Sequence, residues 1–381
     1  MAPSLATIAR KWTRIGATGF GGPPAHISLL RRLVVHRAGW MDARAFEDAN
    51  AACSLLPGPA STQLAIFCAY RVGGWPGAVV GGLGFIVPAV VLILALSVVF
   101  LTQAPPLWIR GAGAGAGAAV AAVAVRAAVD LAGPSFARVR EDGREERLWL
   151  LYVLVGGLAA AVVGPYLALV LLACGALELG LRRRGGDLAL QAWPLAILAA
   201  AGATGGIGAL AWTAFKVGAL SFGGGFVIVP LMQGDAVHVY HWMTSAEFLN
   251  AVALGQVTPG PVVATVAAVG YAAYGLGGGL LAALVAFLPS FSFVLLGGGR
   301  FERLRGNATA RGFLDGAGPA AVGAIFGAAI PLTAALSEPW QLALLGAAAI
   351  SLLALRRGVV ATLLGAGLLG VVLALAGAPL P

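Results

Sequence analysis

Phe20-Gly21-Gly22-Pro23-Pro24 interrupts an apolar stretch near the start of the chain, and Phe222-Gly223-Gly224 repeats its first three residues. Pro57-Gly58-Pro59 recurs in the same way as Pro259-Gly260-Pro261. Both pairs keep one offset of 202 residues (222 − 20 and 259 − 57). Trp40-Met41 and Trp242-Met243 keep it, as do Phe46 and Phe248, and Ala118-Ala119-Val120 and Ala320-Ala321-Val322. Gapless register over such a distance marks a duplicated unit. What is duplicated is a set of helix breakers set in apolar sequence.

The composition gives those breakers a membrane setting. The chain is 60% hydrophobic and 10% charged, with a mean hydropathy of +0.92; a soluble domain carries about 25% charged residues. Uninterrupted apolar spans fall at roughly 75–103, 109–132, 148–164, 165–181, 190–208, 277–299, 312–335, 339–355 and 358–378, each near or somewhat under the length that crosses hydrocarbon. Four further segments, 10–31, 44–71, 212–233 and 246–273, carry a breaker near the middle. Arg10, Lys11 and Arg14 lead straight into the first of them, so no cleavable signal peptide is expected. The formal charge of +9 does not indicate a nucleic-acid partner, because the basic residues occupy short loops between spans, where they set orientation. Cys53, Cys68 and Cys174 form no CxxC and read as small buried residues.

Loop charge tests the path of the broken segments. Arginines cluster at 31–44, 138–147, 182–184, 300–311 and 356–357, whereas the loop at 234–245 has no Lys or Arg. If all four broken segments cross, the clusters at 31–44 and 138–147 fall on opposite sides. If all four are re-entrant hairpins, every cluster is cytoplasmic. The expected fold is therefore an all-α polytopic membrane protein with two inverted-topology repeats, whose broken, re-entrant helices meet in mid-membrane. Residues 1–187 form the first repeat, 188–209 a connecting transmembrane helix and 210–381 the second repeat.

A half-helix that begins in mid-membrane presents unpaired backbone N–H groups and the positive end of a dipole, a natural anion site. Interrupted segments at matching places in two halves are also how secondary transporters mark their binding site. The candidate binding residues are therefore Gly21, Gly22, Pro23, Pro57, Gly58 and Pro59 in the first half. In the second they are Gly223, Gly224, Gly225, Pro259, Gly260 and Pro261. Polar side chains beside the breaks join them: Ser61, Thr62, Gln63, Ser221, Gln256 and Thr258. These either donate to an oxyanion or satisfy backbone freed at the breaks. Arg14 and Lys216 match at the same offset, six residues before each Phe-Gly-Gly. They either neutralise a bound dianion or snorkel to an interface. His26 and Asp48 are candidates for proton coupling, with structural roles as the alternative. Arg126 and Asp130, four apart on one span, read as a local ion pair. Asp315 reads as a helix-end charge near Arg311.

Phe20-Gly21-Gly22-Pro23 with His26, Leu56-Pro57-Gly58-Pro59 with Gln63-Leu64-Ala65, and Ser221-Phe222-Gly223-Gly224-Gly225 resemble the chromate ion transporter family in its long, two-domain form. The resemblance runs from about residue 10 to 300, and the pairing of both motifs in this order in both halves is specific. It implies export of chromate from the bacterial cytoplasm through the inner membrane, driven by the membrane gradient, with sulfate as competitor. Many members carry an acidic residue just after the first Pro-Gly-Pro; here Ala60 stands there.

The sequence thus leads to a multi-pass secondary transporter of a small tetrahedral oxyanion in the lipid bilayer, chromate before sulfate, with a homodimer left open. A transporter of sulfate or another anion is the nearest alternative, and a scramblase-like lipid-handling protein the alternative of another class. The chain has no HExxH, no Cys/His cluster and no nucleophile–His–acid set, so neither an enzyme nor a cofactor is expected.

Overall fold

The computed structural model describes residues 3–102, 105–141, 146–162, 164–182, 205–221, 225–297 and 308–381. Among these every regular element is helical. The first half holds α1 (Leu5–Thr18), α2 (Gly22–Arg31), α3 (Ala43–Ser54), α4 (Ala60–Phe100), α5 (Leu107–Ala118), α6 (Val120–Glu141), α7 (Glu146–Val162) and α8 (Leu167–Arg182). The second holds α9 (Ile207–Ala219), α10 (Ile228–Gln233), α11 (Ser245–Val257), α12 (Val266–Gly297), α13 (Ala308–Ala334), α14 (Pro339–Ala349) and α15 (Val359–Leu375). The connecting helix expected at 188–209 lies outside the described residues as far as residue 204, and so do Phe222, Gly223 and Gly224.

The breaks fall where glycine and proline require them. Gly21 and Gly22 have φ of 101° and 70°, Gly58 has 113°, Gly225 has 92° and Gly260 has 102°. This is the left-handed region in which a Cβ is strained. The chain then turns back at the first break. Trp12 of α1 stacks on Trp40, beyond α2, with ring centroids 6.3 Å apart. Collinear helices would hold these rings tens of ångströms apart, so α1 and α2 form a hairpin. The helix α4 also folds back, at Gly73-Gly74, where both residues leave helical geometry. A Cβ added to Gly81 would meet the Cβ of Ala69 at 2.4 Å, which a straight helix forbids. Tyr274-Gly275 does the same within α12, where Gly278 and Gly270 back onto each other.

Duplication extends to irregular detail. A π-helical turn follows α2 at Arg32–Arg37, and another follows α10 at Gly234–Val239. Trp40 N–H donates to the Val34 carbonyl as Trp242 N–H donates to that of Ala236, both at 2.8 Å. Asp42 caps α3 and Thr244 caps α11.

The halves interlock reciprocally. A Cβ at Gly58 would lie 3.0 Å from the Gly218 carbonyl oxygen, and one at Gly260 would lie 3.2 Å from that of Gly16. These are the same pair of positions exchanged between halves. The outer limbs of α4 and α12 pack antiparallel: Gly82, early in its limb, meets Phe291, late in the other, while Gly279 meets Leu94. Close backbone approach through small residues recurs elsewhere, as where Gly156 of α7 abuts the Ala320 carbonyl of α13 and Gly115 of α5 abuts that of Ala366 in α15. The large apolar side chains Val79, Leu83, Val87 and Val91 of α4, and Leu280, Leu284 and Leu288 of α12, remain exposed. Spaced by four, they form stripes suited to lipid. Among the described residues, four helical stretches, Ala60–Phe100, Leu107–Arg140, Val262–Gly297 and Arg311–Ala334, are long and apolar enough to cross a membrane.

Candidate functional site

The breaks surround a cavity of about 900 Å³. Phe20 to Pro24 and Gly58 with Ala60 line it from the first half, and Phe226, Thr258, Gly260 and Val262 from the second. One hydrogen bond ties the two sets together: Gly260 N–H donates to the Gly19 carbonyl at 3.0 Å. The Gly19 carbonyl, at the end of α1, also accepts from His26 Nε2 at 2.9 Å, so both bonds satisfy a group that the helix end leaves open.

The half-helix ends differ in what they offer. At α2, Pro23 and Pro24 occupy the second and third helical positions and carry no N–H. That end is therefore a weak donor, a correction to the expectation that every break presents bare amides. At α4, Thr62 and Gln63 N–H both donate to the Pro59 carbonyl, and Ala60 and Ser61 precede the first such bond. At the fourth break, the Ala264 N–H donates to Pro261 and opens a 3₁₀ turn, Val262–Thr265.

The opposite wall is charged. Val123, Arg126, Ala127, Asp130, Leu131, Ser135 and Arg138 of α6 face the cavity as one helical stripe. Arg356 and Arg357, in the loop before α15, join them. Arg138 lies near the end of α6, so this end of the cavity reaches the membrane surface. Arg126 is twelve residues back along the helix, roughly 18 Å away at 1.5 Å per residue. It donates from Nε to Asp130 Oδ2 at 2.9 Å and from Nη1 to the Leu352 carbonyl at 2.8 Å. The expected local pair is present. Its place on the cavity wall was not legible from spacing, because a stripe of charges on one helix does not say what faces it.

The model of the family described as "Chromate transporter" matches the chain twice, over residues 6–179 and 208–371. The chain belongs to the chromate transporter family. Its relatives include the chromate transport protein of Cupriavidus metallidurans, 31% identical over 343 residues, or 86% of this chain and 82% of that protein. The chromate transport protein of Pseudomonas aeruginosa is 31% identical over 353 residues, 88% and 82% of the two chains. The probable chromate transport protein of Synechococcus elongatus is 28% identical over 342 residues, 86% and 84%. No solved structure matches the chain.

In this chromate transporter family member, the cavity gathers Gly21, Gly22, Pro23, Gly58, Gln256, Thr258 and Gly260 from the expected set. Others sit behind it as braces. Gln63 Nε2 donates to the Pro57 carbonyl at 2.7 Å, holding the break from within, and Ser61 and Thr62 are buried beside it. Thr258 Oγ1 donates back to Leu254 at 2.7 Å. Ser221 is buried near Gly225. Pro57, Pro59, Pro259 and Pro261 set the turns without forming the cavity wall. Gly223 and Gly224 lie outside the described residues.

The two cations matched across the halves are not in the cavity wall. Arg14 is exposed on α1. Lys216 is buried, with Nζ 2.5 Å from Asp235 Oδ2, which also accepts from Thr213 Oγ1 at 2.7 Å. His26 is fully buried. Its Nε2 lies 2.9 Å from the Gly19 carbonyl, and its Nδ1 lies 3.3 Å from Ser61 Oγ. A carbonyl can only accept, so Nε2 carries the proton and Nδ1 accepts from the serine. The ring pins α2 to α1 and α4. Asp48 is half-buried on α3 beside Glu47, which pairs with Arg31 at 3.2 Å. Asp315 meets Arg182 at 2.5 Å, and Arg182 also bonds Glu178 at 3.1 Å. Asp315 therefore joins α13 to α8 as well as standing near a helix end.

Proposed function

We propose that the protein is a secondary transporter that carries a small tetrahedral dianion, chromate first, out of the cytoplasm across the bacterial inner membrane. One observation carries this reading. Breaks from both halves form one wall of a single cavity, and arginines stand among the apolar residues of α6 and α13 on the other, in a chain whose relatives are chromate transport proteins. Backbone amides and the Gln256 side chain supply donors, and the arginines supply the charge that a dianion needs. Arg138 lies at the surface end of the cavity, and arginine-rich loops face the cytoplasm. In this conformation the cavity therefore loads from the cytoplasm.

Alternating access follows from a duplicated, inverted architecture, with 1–187 and 210–381 as the two repeats and 188–209 as the crossing between them. The antiparallel limbs of α4 and α12 and the reciprocal glycine contacts support that reading. Protons are the natural coupling ion in a membrane gradient. Asp48 remains the candidate carrier, since both ring nitrogens of His26 are engaged. Sulfate matches chromate in shape and charge and is expected to compete.

The test is expression in a chromate-sensitive host, with cellular chromium measured. Cells making the protein are expected to hold less chromium and to tolerate more chromate. Unchanged accumulation with folded protein in the membrane removes chromate as the substrate.

A further inference from the structure

We infer that Arg126 is the cation that meets the transported dianion in the cavity, and that Asp130 is its exchangeable partner. Asp130 holds the guanidinium while the cavity is empty and yields it to a divalent anion. The inference rests on the transport reading above and names the residues that select the substrate's charge.

Position is the first support. Arg126 lies roughly 18 Å along α6 from Arg138, beside Leu352 and so within a few residues of Arg356 and Arg357, and it faces the same cavity as the breaks. Geometry is the second. Nη1 is anchored on the Leu352 carbonyl and Nε on Asp130, leaving the other donors of the five-donor fork for a ligand. Exposure is the third. The Arg126 side chain is 27% exposed, whereas that of Asp130 is 56% exposed. The carboxylate is the wetter, freer member, and the guanidinium is the fixed one.

Comparison of the halves supplies the fourth. At the 202-residue offset, Arg126 corresponds to Ala328 and Asp130 to Leu332, both fully buried. The second half builds the same helix without a charge pair, so the pair is not a requirement of the duplicated unit. Magnitudes point the same way. A helix end carries only a fraction of a unit charge, whereas the guanidinium carries a full one. The guanidinium dominates charge recognition. It also filters: a monoanion replacing Asp130 exchanges one negative charge for another, whereas a dianion brings two.

The experiment is equilibrium binding of sulfate, chromate and nitrate to the purified full-length protein by isothermal titration calorimetry. The variants are R126Q, R126K, D130N and R126Q/D130N. R126Q is expected to weaken sulfate and chromate binding by about 10- to 100-fold, the loss of a charged hydrogen bond, and R126K to recover part of it. D130N is expected to strengthen binding of all three anions, the dianions most, so that the sulfate-to-nitrate affinity ratio rises by at least about threefold. In R126Q/D130N the effect of D130N is expected to disappear, which a merely structural role for the pair would not produce. If the wild-type protein binds none of the three anions, the transport reading fails and this inference fails with it. If it binds sulfate or chromate and R126Q binds them equally well, only the inference is overturned. Should R126Q not fold, D130N decides alone, and an unchanged sulfate-to-nitrate ratio overturns the inference.

Discussion

The two halves share their backbone breaks and differ in their charges. Gly58 and Gly260 take the same left-handed conformation, and the π-helical turns at 32–37 and 234–239 coincide at the 202-residue offset. Side chains at the same register diverge. Arg14 is exposed while Lys216 is buried against Asp235, whose own counterpart is Leu33. His26 and Ser61 pin the first half, and the buried Ile228 and Val263 replace them in the second. Arg126 and Asp130 face the cavity where Ala328 and Leu332 pack in the core. Architecture thus resides in the features both halves keep, which are backbone conformations. Chemistry resides in the features only one half has.

The largest expected effect separates Lys216 from Arg14. Lys216→Met strands the Asp235 carboxylate in the interior and should cost about 3–5 kcal/mol. Adding Asp235→Leu should restore most of it, because the first half carries leucine at that register. Arg14→Met should stay within about 0.5 kcal/mol of the wild type. Melting of the detergent-purified variants, followed by tryptophan fluorescence, checks the three together. Equal losses at Arg14 and Lys216 would erase the distinction between the halves.

Next come the glycines that both halves keep. Gly58→Ala and Gly260→Ala each force a Cβ into left-handed backbone and against a neighbour 2.8 Å away. Each should cost about 1–3 kcal/mol and reduce transport in membrane vesicles to a similar degree. A large effect at one and none at the other would mean that only one break matters. The smallest effect is expected from copying the second half into the first. In His26→Ile with Ser61→Val, the Gly19 carbonyl keeps its bond from Gly260 N–H. The loss should be about 1 kcal/mol, with the pH dependence of transport unchanged. A shifted pH profile would return His26 to the coupling machinery.

Much of the architecture could be read from the residues. Glycine and proline in apolar sequence mark where a helix must stop, and the helices stop at Gly21, Gly58 and Gly260. Loop arginines indicated hairpins, and the Trp12–Trp40 stack is a hairpin contact. The folding-back of α4 at Gly73-Gly74 was legible only as the end of one apolar segment and the start of the next. The site was less legible, because its decisive contacts join residues distant in sequence. Lys216 finds Asp235 across the hairpin from α9 to the turn after α10, and Asp315 finds Arg182 from the other half. The wall presented by Arg126 needs the tertiary fold to show what it faces. Pro23 and Pro24 hold a simpler lesson: the residues that break a helix well also remove the N–H groups that would bind an anion.

The account stands most directly on the opposed orientation of the halves, and one pair of positions tests it. His36 and His238 occupy the same register and are both exposed, and the native cysteines Cys53, Cys68 and Cys174 are all buried. His36→Cys and His238→Cys, made separately, would be treated in intact cells and in inverted vesicles with a membrane-impermeant maleimide. The expected result is labelling of residue 36 only in inverted vesicles and of residue 238 only in intact cells. Labelling of both from the same side would contradict inverted repeats and the shared mid-membrane site built on them.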